Sequence, residues 1–324
     1  MTSTIRPYHH LANGGFRNPP GSPRRTSSKW EALRFFLSFP FSDRMPNIPA
    51  EHVLSKKEVQ EQYNKSSSPC ITWIGHAAFI IRLGNKVIIT DPFVSEVAGP
   101  GVLGPKRFLA AAFNAQELPK ADIIAVSHNH YDHLDDEALR AYPHKHETLV
   151  IVPLGLKEFF IKRGYIRIIE QDWWQETQLE ELTITTLPAV HFSGRGLFDG
   201  NKTLWASFAF RNEDKNIWFS GDTAKGEIFQ KIGEKNGPFD MAIIGIGAYE
   251  PRNFMRSVHA SPEDAVEMAI DLKAKKTIGM HWGSIMLTPE DPFEAPARFR
   301  KAAIDQHYGE EHALILKVGE TISF

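Results

Sequence analysis

The segment from Ser127 to Leu134 carries three histidines and an aspartate within six residues. His128 and His130 follow an apolar run, so in an extended chain both imidazoles project to the same side and can bind one ion. Asp132 and His133 come next, where the chain is predicted to turn into a helix, and their side chains diverge toward a second ion. Such nitrogen and oxygen ligands, with an open position for water, are typical of catalytic zinc sites. The alternative is a group of surface histidines at a strand end, but four such residues together favour a metal site.

Three later residues supply the further segments that a metal site needs. His191 follows a strand-like run and a proline, and Asp222 follows an apolar run in the string Ser-Gly-Asp-Thr. His281 comes directly after another apolar run. Taken singly, His191 or His281 would more often be a structural histidine. Their shared placement after predicted strands favours ligands gathered along one edge of the sheets.

Short apolar runs rich in β-branched residues, separated by glycine and asparagine, predict the strands that position these side chains. Strands are predicted at 71–75, 77–82, 86–90, 121–126, 148–153, 165–170, 182–187, 204–211, 216–220, 241–246, 276–280 and 313–318. Helices are predicted at 55–65, 135–142, 156–163, 262–273 and 296–308. This order fits an α/β (α+β) fold, a four-layer αββα sandwich, better than one doubly wound parallel sheet.

The composition sets outer bounds on the function. A chain of 324 residues with 42% hydrophobic content can form one large domain or two closely packed halves. The net charge of -2 and the pI near 6.7 argue against a dedicated nucleic-acid binder. Cys70 is the single cysteine, which excludes an intramolecular disulfide and fits a reducing compartment.

The first residues are rich in Gly, Pro, Asn and Arg and lack the apolar core of a signal peptide. We therefore expect a flexible N-terminal arm at 1–29 and a single catalytic domain at 30–324. Since no stretch approaches the roughly 20 apolar residues of a membrane span, we expect a cytoplasmic protein. The aromatic segment Trp30–Phe41 and the segment Val102–Phe113, beside Lys106 and Arg107, either contact a membrane or pack onto the body. We favour packing.

The order His-x-His-x-Asp-His, a later His, Gly-Asp-Thr and a final His resembles the signature of the metallo-β-lactamase superfamily. The resemblance implies two divalent metal ions per chain. Zinc is the expected metal, and iron and manganese are the alternatives that such ligands accept. By this resemblance the first metal is held by His128, His130 and His191, the second by Asp132, His133 and His281, and Asp222 bridges them.

Two more residues enter through the same resemblance. Asp91, in the string Thr-Asp-Pro, matches an aspartate that steadies the ligands from outside the metal site, a role compatible with an Asp-Pro turn. His76, in Trp-Ile-Gly-His, recurs in one branch of the superfamily, and we assign it a structural role or a contact with the ligands. The histidines to which we assign no role are His9, His10, His52, His144, His146, His307 and His312.

Longer strings, among them Gly14–Pro20, His191–Asp199 and His259–Ala265, are similar to the branch of N-acylphosphatidylethanolamine-hydrolysing phospholipase D and its bacterial relatives. The similarity implies a phosphodiester substrate, including a phospholipid, attacked by a metal-bridging hydroxide. The catalytic residues would be Asp132, Asp222, His259 and Tyr131.

Tyr131 and His259 would line the substrate pocket. His259 would hydrogen-bond a phosphate oxygen or assist the leaving group, or else cap the helix that begins near Pro262. Arg195 would anchor a phosphate, or else form a structural salt bridge.

Other functions stay open at this point. Two adjacent metals also suit lactones, thioesters and other esters, since they clamp the charge that develops on the attacked oxygen. A redox protein would need iron and an electron-carrier domain, for which the chain has no room. A binding module without activity is disfavoured, because every candidate ligand is present. Peripheral membrane contact and a homodimer are left open.

Overall fold

Hydrophobic residues along the predicted strands form two sheets in the computed structural model, which describes residues 6–26, 28 and 46–324. The strands are β1 (Cys70–Gly75), β2 (Ala78–Leu83), β3 (Lys86–Thr90), β4 (Ile123–Ala125), β5 (Leu149–Pro153), β6 (Arg167–Gln171), β7 (Glu176–Leu179), β8 (Leu182–Leu187), β9 (Ser207–Arg211), β10 (Asn216–Phe219), β11 (Met241–Gly245), β12 (Thr277–Met280), β13 (Ala313–Leu314) and β14 (Thr321–Ser323).

Within the described residues each sheet has seven strands. The first sheet has the order β14-β1-β2-β3-β4-β5-β6, and the second has β13-β12-β11-β10-β9-β8-β7. Both are mixed, because antiparallel hairpins at one side continue into parallel strands from β3 to β6 and from β10 to β13. The fold is therefore the predicted α/β sandwich.

Successive side chains of β2 pack into different layers of the fold. Phe79 and Ile81 pack into the core shared with Phe208 and Phe210 of the second sheet. Ile80, on the opposite face, packs into a separate cluster beneath the helices of the first sheet. Because side chains alternate along a strand and both faces are covered, the strand is apolar throughout.

Seven α-helices lie within the described residues and cover the sheets. They are α1 (Lys56–Lys65), α2 (Asp136–Ala141), α3 (Lys157–Ile161), α4 (Ile228–Lys235), α5 (Arg252–Met255), α6 (Pro262–Asp271) and α7 (Ala295–Asp305), with short 3-10 turns at Ala50–His52 and Glu310–His312. The first helix begins with a reciprocal cap between Ser55 and Glu58. None of the helices in residues 6–26, 28 and 46–324 is long and apolar enough to cross a membrane.

The structure contains elements that the sequence patterns did not predict. They are the polar strand β7, the short β14, the short helix α5 and the amphipathic helix α4, which buries Phe229 and Ile232. The last predicted strand, 313–318, is reduced to β13. β7 lies at the edge of its sheet and its residues are alternately exposed and half-buried. It is held as a strand by its hydrogen bonds to β8, not by burial of apolar side chains.

Part of the expected N-terminal arm lies against the body. The Phe16 side chain is buried in a cluster with Trp173 and Trp205, and the Phe16 amide donates to the Asn201 carbonyl at 2.9 Å. The segment Trp30–Phe41 lies outside the described residues. The segment 102–113 is only partly packed onto the body: Val102 and Leu103 at its start are exposed, and Phe113 at its end is buried.

Candidate metal centre

The histidine-rich segment follows β4 and ends at the first turn of α2. A tight turn forms because the amides of His133 and Leu134 both donate to the His130 carbonyl. Asp135 then caps the helix by accepting from the Ala138 amide at 3.0 Å. The strand end and the helix start therefore hold the intervening side chains in place from both sides.

The first group of side chains gathers four residues that we expect to bind metal. The ligand atoms of His128, His130, His191 and Asp222 lie within 4.8 Å of one another. His128 Nε2 lies 2.8 Å from His130 Nδ1, and His191 Nε2 lies 3.2 Å from the same His130 nitrogen. Three imidazoles from two distant segments therefore converge on one point.

The second group contains the other three predicted ligands and His76. The ligand atoms of His76, Asp132, His133 and His281 also lie within 4.8 Å of one another. His281 Nε2 is 3.4 Å from Asp132 Oδ2, and His76 Nε2 is 3.0 Å from the same oxygen. The contact of His76 with Asp132 gives this histidine the means to orient a ligand carboxylate.

The Asp222 carboxylate lies between the two groups. Its Oδ2 is 3.6 Å from His191 Nε2 and 3.1 Å from His133 Nε2, and its Oδ1 is 3.2 Å from His281 Nε2. A carboxylate in this position faces the ligands predicted for both ions, which is the geometry that a bridging role requires.

Asp91 contacts the ligands from outside the two groups. Its Oδ2 accepts from the Ser127 hydroxyl at 2.6 Å and lies 2.7 Å from His133 Nδ1, while Oδ1 accepts from the Ser127 amide. The carboxylate thus places the proton of His133 on Nδ1 and leaves Nε2 facing Asp222.

The backbone around the centre is strained at several positions. His76, Asp91 and His281 have positive φ angles of 57°, 35° and 66°. Non-glycine residues adopt this region rarely, and such strain clusters at functional sites. Gly221 has a φ of +53°, and a Cβ there would collide with the Ser127 side chain.

Burial keeps most of the imidazoles neutral. It lowers the pKa of His130 to about 3 and that of His191 to about 4, and the pKa of His128 also falls well below its usual value. A neutral imidazole has a lone pair to offer a metal, so this group suits a cation without first losing protons.

The pKa values of His281 and Asp222 shift each other in opposite directions. Burial opposes a proton on His281, but the carboxylates of Asp222 and Asp132 outweigh it and raise the pKa of His281 to about 9. Burial likewise opposes charge on Asp222, yet His133 and His281 hold the pKa of Asp222 well below its usual range. The two ionised carboxylates hold protons on His281 and on His133, whose pKa they raise well above its usual value against the effect of burial, and a bound metal would take the place of those protons.

Several buried polar atoms in the centre have no hydrogen-bond partner among the described residues, which indicates whether these residues fit a metal. They include His133 Nε2, His281 Nε2 and Asp222 Oδ1, all of which face the centre. Buried polar groups ordinarily have partners, and leaving one without any is costly. The donor set of imidazoles and carboxylates, with these atoms aimed inward, fits divalent metal ions.

His259 lies at the edge of the centre. Its Nε2 is 4.0 Å from Asp222 Oδ2, and its ring is 5.1 Å from that of His191. The alternative helix-capping role is wrong, because Ser261 caps α6 by accepting from the Asp264 amide. His259 therefore borders the candidate metal centre and does not cap the helix.

Arg195 and Tyr131 brace the histidine-rich segment. Arg195 Nη1 donates to the carbonyls of Asn129 at 2.9 Å and Leu134 at 2.6 Å, and its guanidinium lies 3.8 Å from the centre of the Tyr131 ring. The Tyr131 hydroxyl donates to the Arg195 carbonyl at 3.1 Å. Arg195 forms no salt bridge within the described residues; its guanidinium donates to backbone carbonyls and lies over the Tyr131 ring.

Two asparagines near the centre were missed by sequence reasoning. Asn18 Oδ1 accepts from the His191 amide at 2.9 Å, and Asn129 Oδ1 accepts from the Gly194 amide at 2.7 Å. Asn129 lies between two predicted ligands, and Asn18 lies in the distinctive string 14–20. Their positions, beside predicted ligands or inside a distinctive string, were the only features of the sequence that could have pointed to a role near the metal centre.

Known protein families and curated proteins resemble this chain in sequence. The model of the Beta-lactamase superfamily domain matches residues 86–282. The chain is 36% identical over 257 residues to N-acyl-phosphatidylethanolamine-hydrolyzing phospholipase D 1 of Caenorhabditis elegans, covering 76% of this chain and 72% of that protein. A mitochondrial N-acyl-phosphatidylethanolamine-hydrolyzing phospholipase D of Saccharomyces cerevisiae is 36% identical over 68% of this chain, which spans 48% of the yeast protein.

A solved structure agrees at the level of the fold. The isothiocyanate hydrolase from Delia radicum gut bacteria superposes with a TM-score of 0.63 at 21% identity, covering 79% of this chain and 99% of that one. The chain therefore belongs to the metallo-β-lactamase superfamily, in the branch of the N-acyl-phosphatidylethanolamine-hydrolyzing phospholipases D and their bacterial relatives.

Proposed function

We propose that this protein is a binuclear metal-dependent phosphodiesterase of the N-acylphosphatidylethanolamine phospholipase D type. The observation that carries the proposal is the position of Asp222, whose two oxygens face His133 and His281 at 3.1 and 3.2 Å. The identity with the nematode phospholipase D, 36% over 257 residues, supports the substrate class.

Two divalent ions, zinc in our proposal, would supply an activated water as the nucleophile and would neutralise charge on the phosphate. His128, His130 and His191 would hold one ion, and Asp132, His133 and His281 the other. Asp222 would contact both. Asp91, 2.7 Å from His133 Nδ1, would hold the proton on that nitrogen and leave Nε2 to bind the ion.

His259 is the residue best placed to act on the substrate itself. Burial lowers its pKa well below its usual value, so the ring is neutral and can donate one hydrogen bond while accepting another. Because its Nε2 is 4.0 Å from Asp222 Oδ2, His259 lies close enough to the proposed metal site to reach a phosphate oxygen bound there. We propose that it orients the phosphate and assists the leaving group.

A groove of about 490 Å³ beside Tyr131 suits a phosphodiester headgroup. Its lining includes three arginines and three carboxylates, and two of the arginines pair with Asp136; these residues are Arg140, Arg163, Arg195, Asp135, Asp136 and Glu137. Arg195 already donates to backbone carbonyls, so we propose that it shapes the groove and presents positive charge there rather than gripping a phosphate alone.

Exposed apolar side chains flank the same groove and support peripheral contact with a membrane. The exposed fractions are 92% for Leu197 and 93% for Phe198, and 81% for Val102 and 69% for Leu103. Gly99, Pro100, Gly101 and Arg195, from the two loops that carry these side chains, line the groove. We propose that the loop tips enter the lipid surface, while the protein otherwise resides in the cytoplasm. Arg107 does not take part, because it donates to the Phe93 carbonyl.

Vesicle sedimentation tests the membrane contact. Phe198→Ser should reduce binding to phosphatidylethanolamine vesicles. Ile166→Ser is the matched control, because Ile166 is also an exposed apolar residue, with 73% of its surface accessible. It precedes β6 and so lies at the end of the parallel strands opposite to the metal centre. Equal binding by wild type and Phe198→Ser would contradict the proposed contact.

Hydrolysis of bis-p-nitrophenyl phosphate tests the reaction. Wild type should cleave it, Asp222→Ala should not, and Asp214→Ala, which changes an exposed carboxylate, should match wild type. N-acylated phosphatidylethanolamine is then the substrate to assay. Cleavage of lactones by a wild type that leaves phosphodiesters intact would replace the proposal with the alternative of a lactonase.

A further inference from the structure

The N-terminal segment 6–26 touches the metal centre at one residue, Asn18. The Asn18 Oδ1 accepts two hydrogen bonds, from the His191 amide and from Trp205 Nε1, both at 2.9 Å. His191 lies after β8, in a long connection to β9 without regular structure. Its amide therefore has no ladder to bind, and a residue 173 positions away satisfies it.

The side chain of His191 is fixed at one further atom. Its Nδ1 donates to the Val258 carbonyl at 2.7 Å, which leaves Nε2 facing Asp222 Oδ2 at 3.6 Å. Asn18 fixes the backbone from which this side chain projects. The Trp205 indole, which also donates to the Ala189 carbonyl, ties Asn18 to the residues before His191.

A second contact holds the segment in place farther along the surface. His9 Nε2 and His10 Nε2 lie 2.6 and 2.7 Å from the two oxygens of Asp172. The His9 ring stacks on Trp173 with 4.2 Å between the centroids. Although these three residues are all of metal-ligating types, the nitrogen–oxygen distances are those of hydrogen bonds and the carboxylate is already satisfied. We name this group (His9, His10 and Asp172) the clasp.

Between the clasp and Asn18 the segment packs through Phe16. This side chain is buried beside Trp173, which contacts the clasp, and Trp205, which contacts Asn18. Trp173 Nε1 also donates to the Trp205 carbonyl at 2.7 Å. A continuous set of contacts therefore joins the clasp to the His191 amide.

We propose that residues 6–26 form a strap that positions His191 for metal binding, with Asn18 as the positioning residue and the clasp as its anchor. The inference rests on the proposed function in that it takes His191 as a ligand. Residues that orient ligands without touching the ion commonly change metal affinity about 10- to 100-fold when they are replaced.

The test compares zinc affinity, by chelator competition, and the visible absorption spectrum of the cobalt-substituted protein in three full-length variants. Asn18→Ala should weaken one of the two ions about 10-fold or more and alter the cobalt spectrum. Asn18→Asp keeps an acceptor oxygen at the same place and should restore both. Asn13→Ala removes a similar bond within the strap, to the Gly15 amide, and should leave both unchanged.

Asp172→Ala provides a second route, because it opens the clasp without altering Asn18 and it remains informative if Asn18→Ala does not fold. We expect the same ion to weaken in this variant. Wild-type affinity and spectrum in Asn18→Ala, or in Asp172→Ala, would overturn the strap. Metal affinity separates this inference from the reaction: a wild type that binds two ions but spares phosphodiesters overturns the proposed function alone. A wild type that takes up no ion overturns both.

Discussion

Asp91 Oδ2 lies 2.7 Å from His133 Nδ1, and the same oxygen accepts from the Ser127 hydroxyl at 2.6 Å. The contact directs His133 Nε2 toward Asp222 and does so from a backbone conformation that aspartate seldom adopts. A strained residue is thus held where it fixes the tautomer of a candidate ligand.

Asp91→Asn should lower zinc affinity about 10- to 100-fold, because an amide cannot accept the His133 proton as strongly as a carboxylate. Asp122→Asn is the matched control. Asp122 also accepts a backbone hydrogen bond, from the Val87 amide, but it precedes β4, whereas the histidine-rich segment follows that strand. Competition with a chelator measures both. Equal affinities in the two variants would show that Asp91 does not orient a ligand.

Gly221→Ala should destabilise the fold by about 1–3 kcal/mol, because the φ of +53° disfavours a side chain and the added Cβ would meet Ser127. Gly200→Ala, where a Cβ would have open space, should change the free energy of unfolding by less than about 0.5 kcal/mol. Denaturant titration distinguishes the two. A Gly221→Ala protein as stable as the control would show that neither the backbone conformation nor the contact with Ser127 requires glycine at this position.

Arg195→Lys should lower the free energy of unfolding by about 1–3 kcal/mol, since the carbonyls of Asn129 and Leu134 would lose their shared donor. Arg300→Lys is the control, because Arg300 is exposed on α7 and does not line the groove. If Arg195→Lys is as stable as wild type but its KM for phosphodiester rises, Arg195 binds phosphate and does not brace the segment.

Glu290→Gln should stabilise the protein at high pH more than at low pH. Burial raises the pKa of Glu290, so the folded state retains a proton that the unfolded chain releases. Stability is full below the unfolded value and is lost as pH rises through the folded value. Glutamine keeps the acceptor for the Tyr249 amide and removes this loss. Thermal unfolding at about pH 5 and pH 8 should show the gain growing with pH, unlike that of the exposed Glu213→Gln. A gain independent of pH would contradict the assignment.

Local patterns made the strands and the histidine-rich segment predictable. His128, His130, Asp132 and His133 are close in sequence and follow an apolar strand, so their types and spacing alone indicate a metal site. The sheets were predictable for the same reason, because strands such as β2 and β3 are short apolar runs between turns.

Contacts between distant segments were not predictable from pattern. Nothing near Asn18 indicates that it binds the His191 amide, since the two residues are 173 positions apart. Arg107 next to Lys106 reads as a basic patch, yet it points inward to the Phe93 carbonyl and ring. Such contacts depend on how the layers pack, which no short window of sequence contains.

The most direct test of the central claim is the metal content of the purified protein, measured by elemental analysis for wild type and Asp222→Ala. We predict about two zinc ions per wild-type chain and fewer in the variant, because Asp222 faces both groups of ligands. A wild type that binds no metal after reconstitution with zinc, iron or manganese would contradict the account.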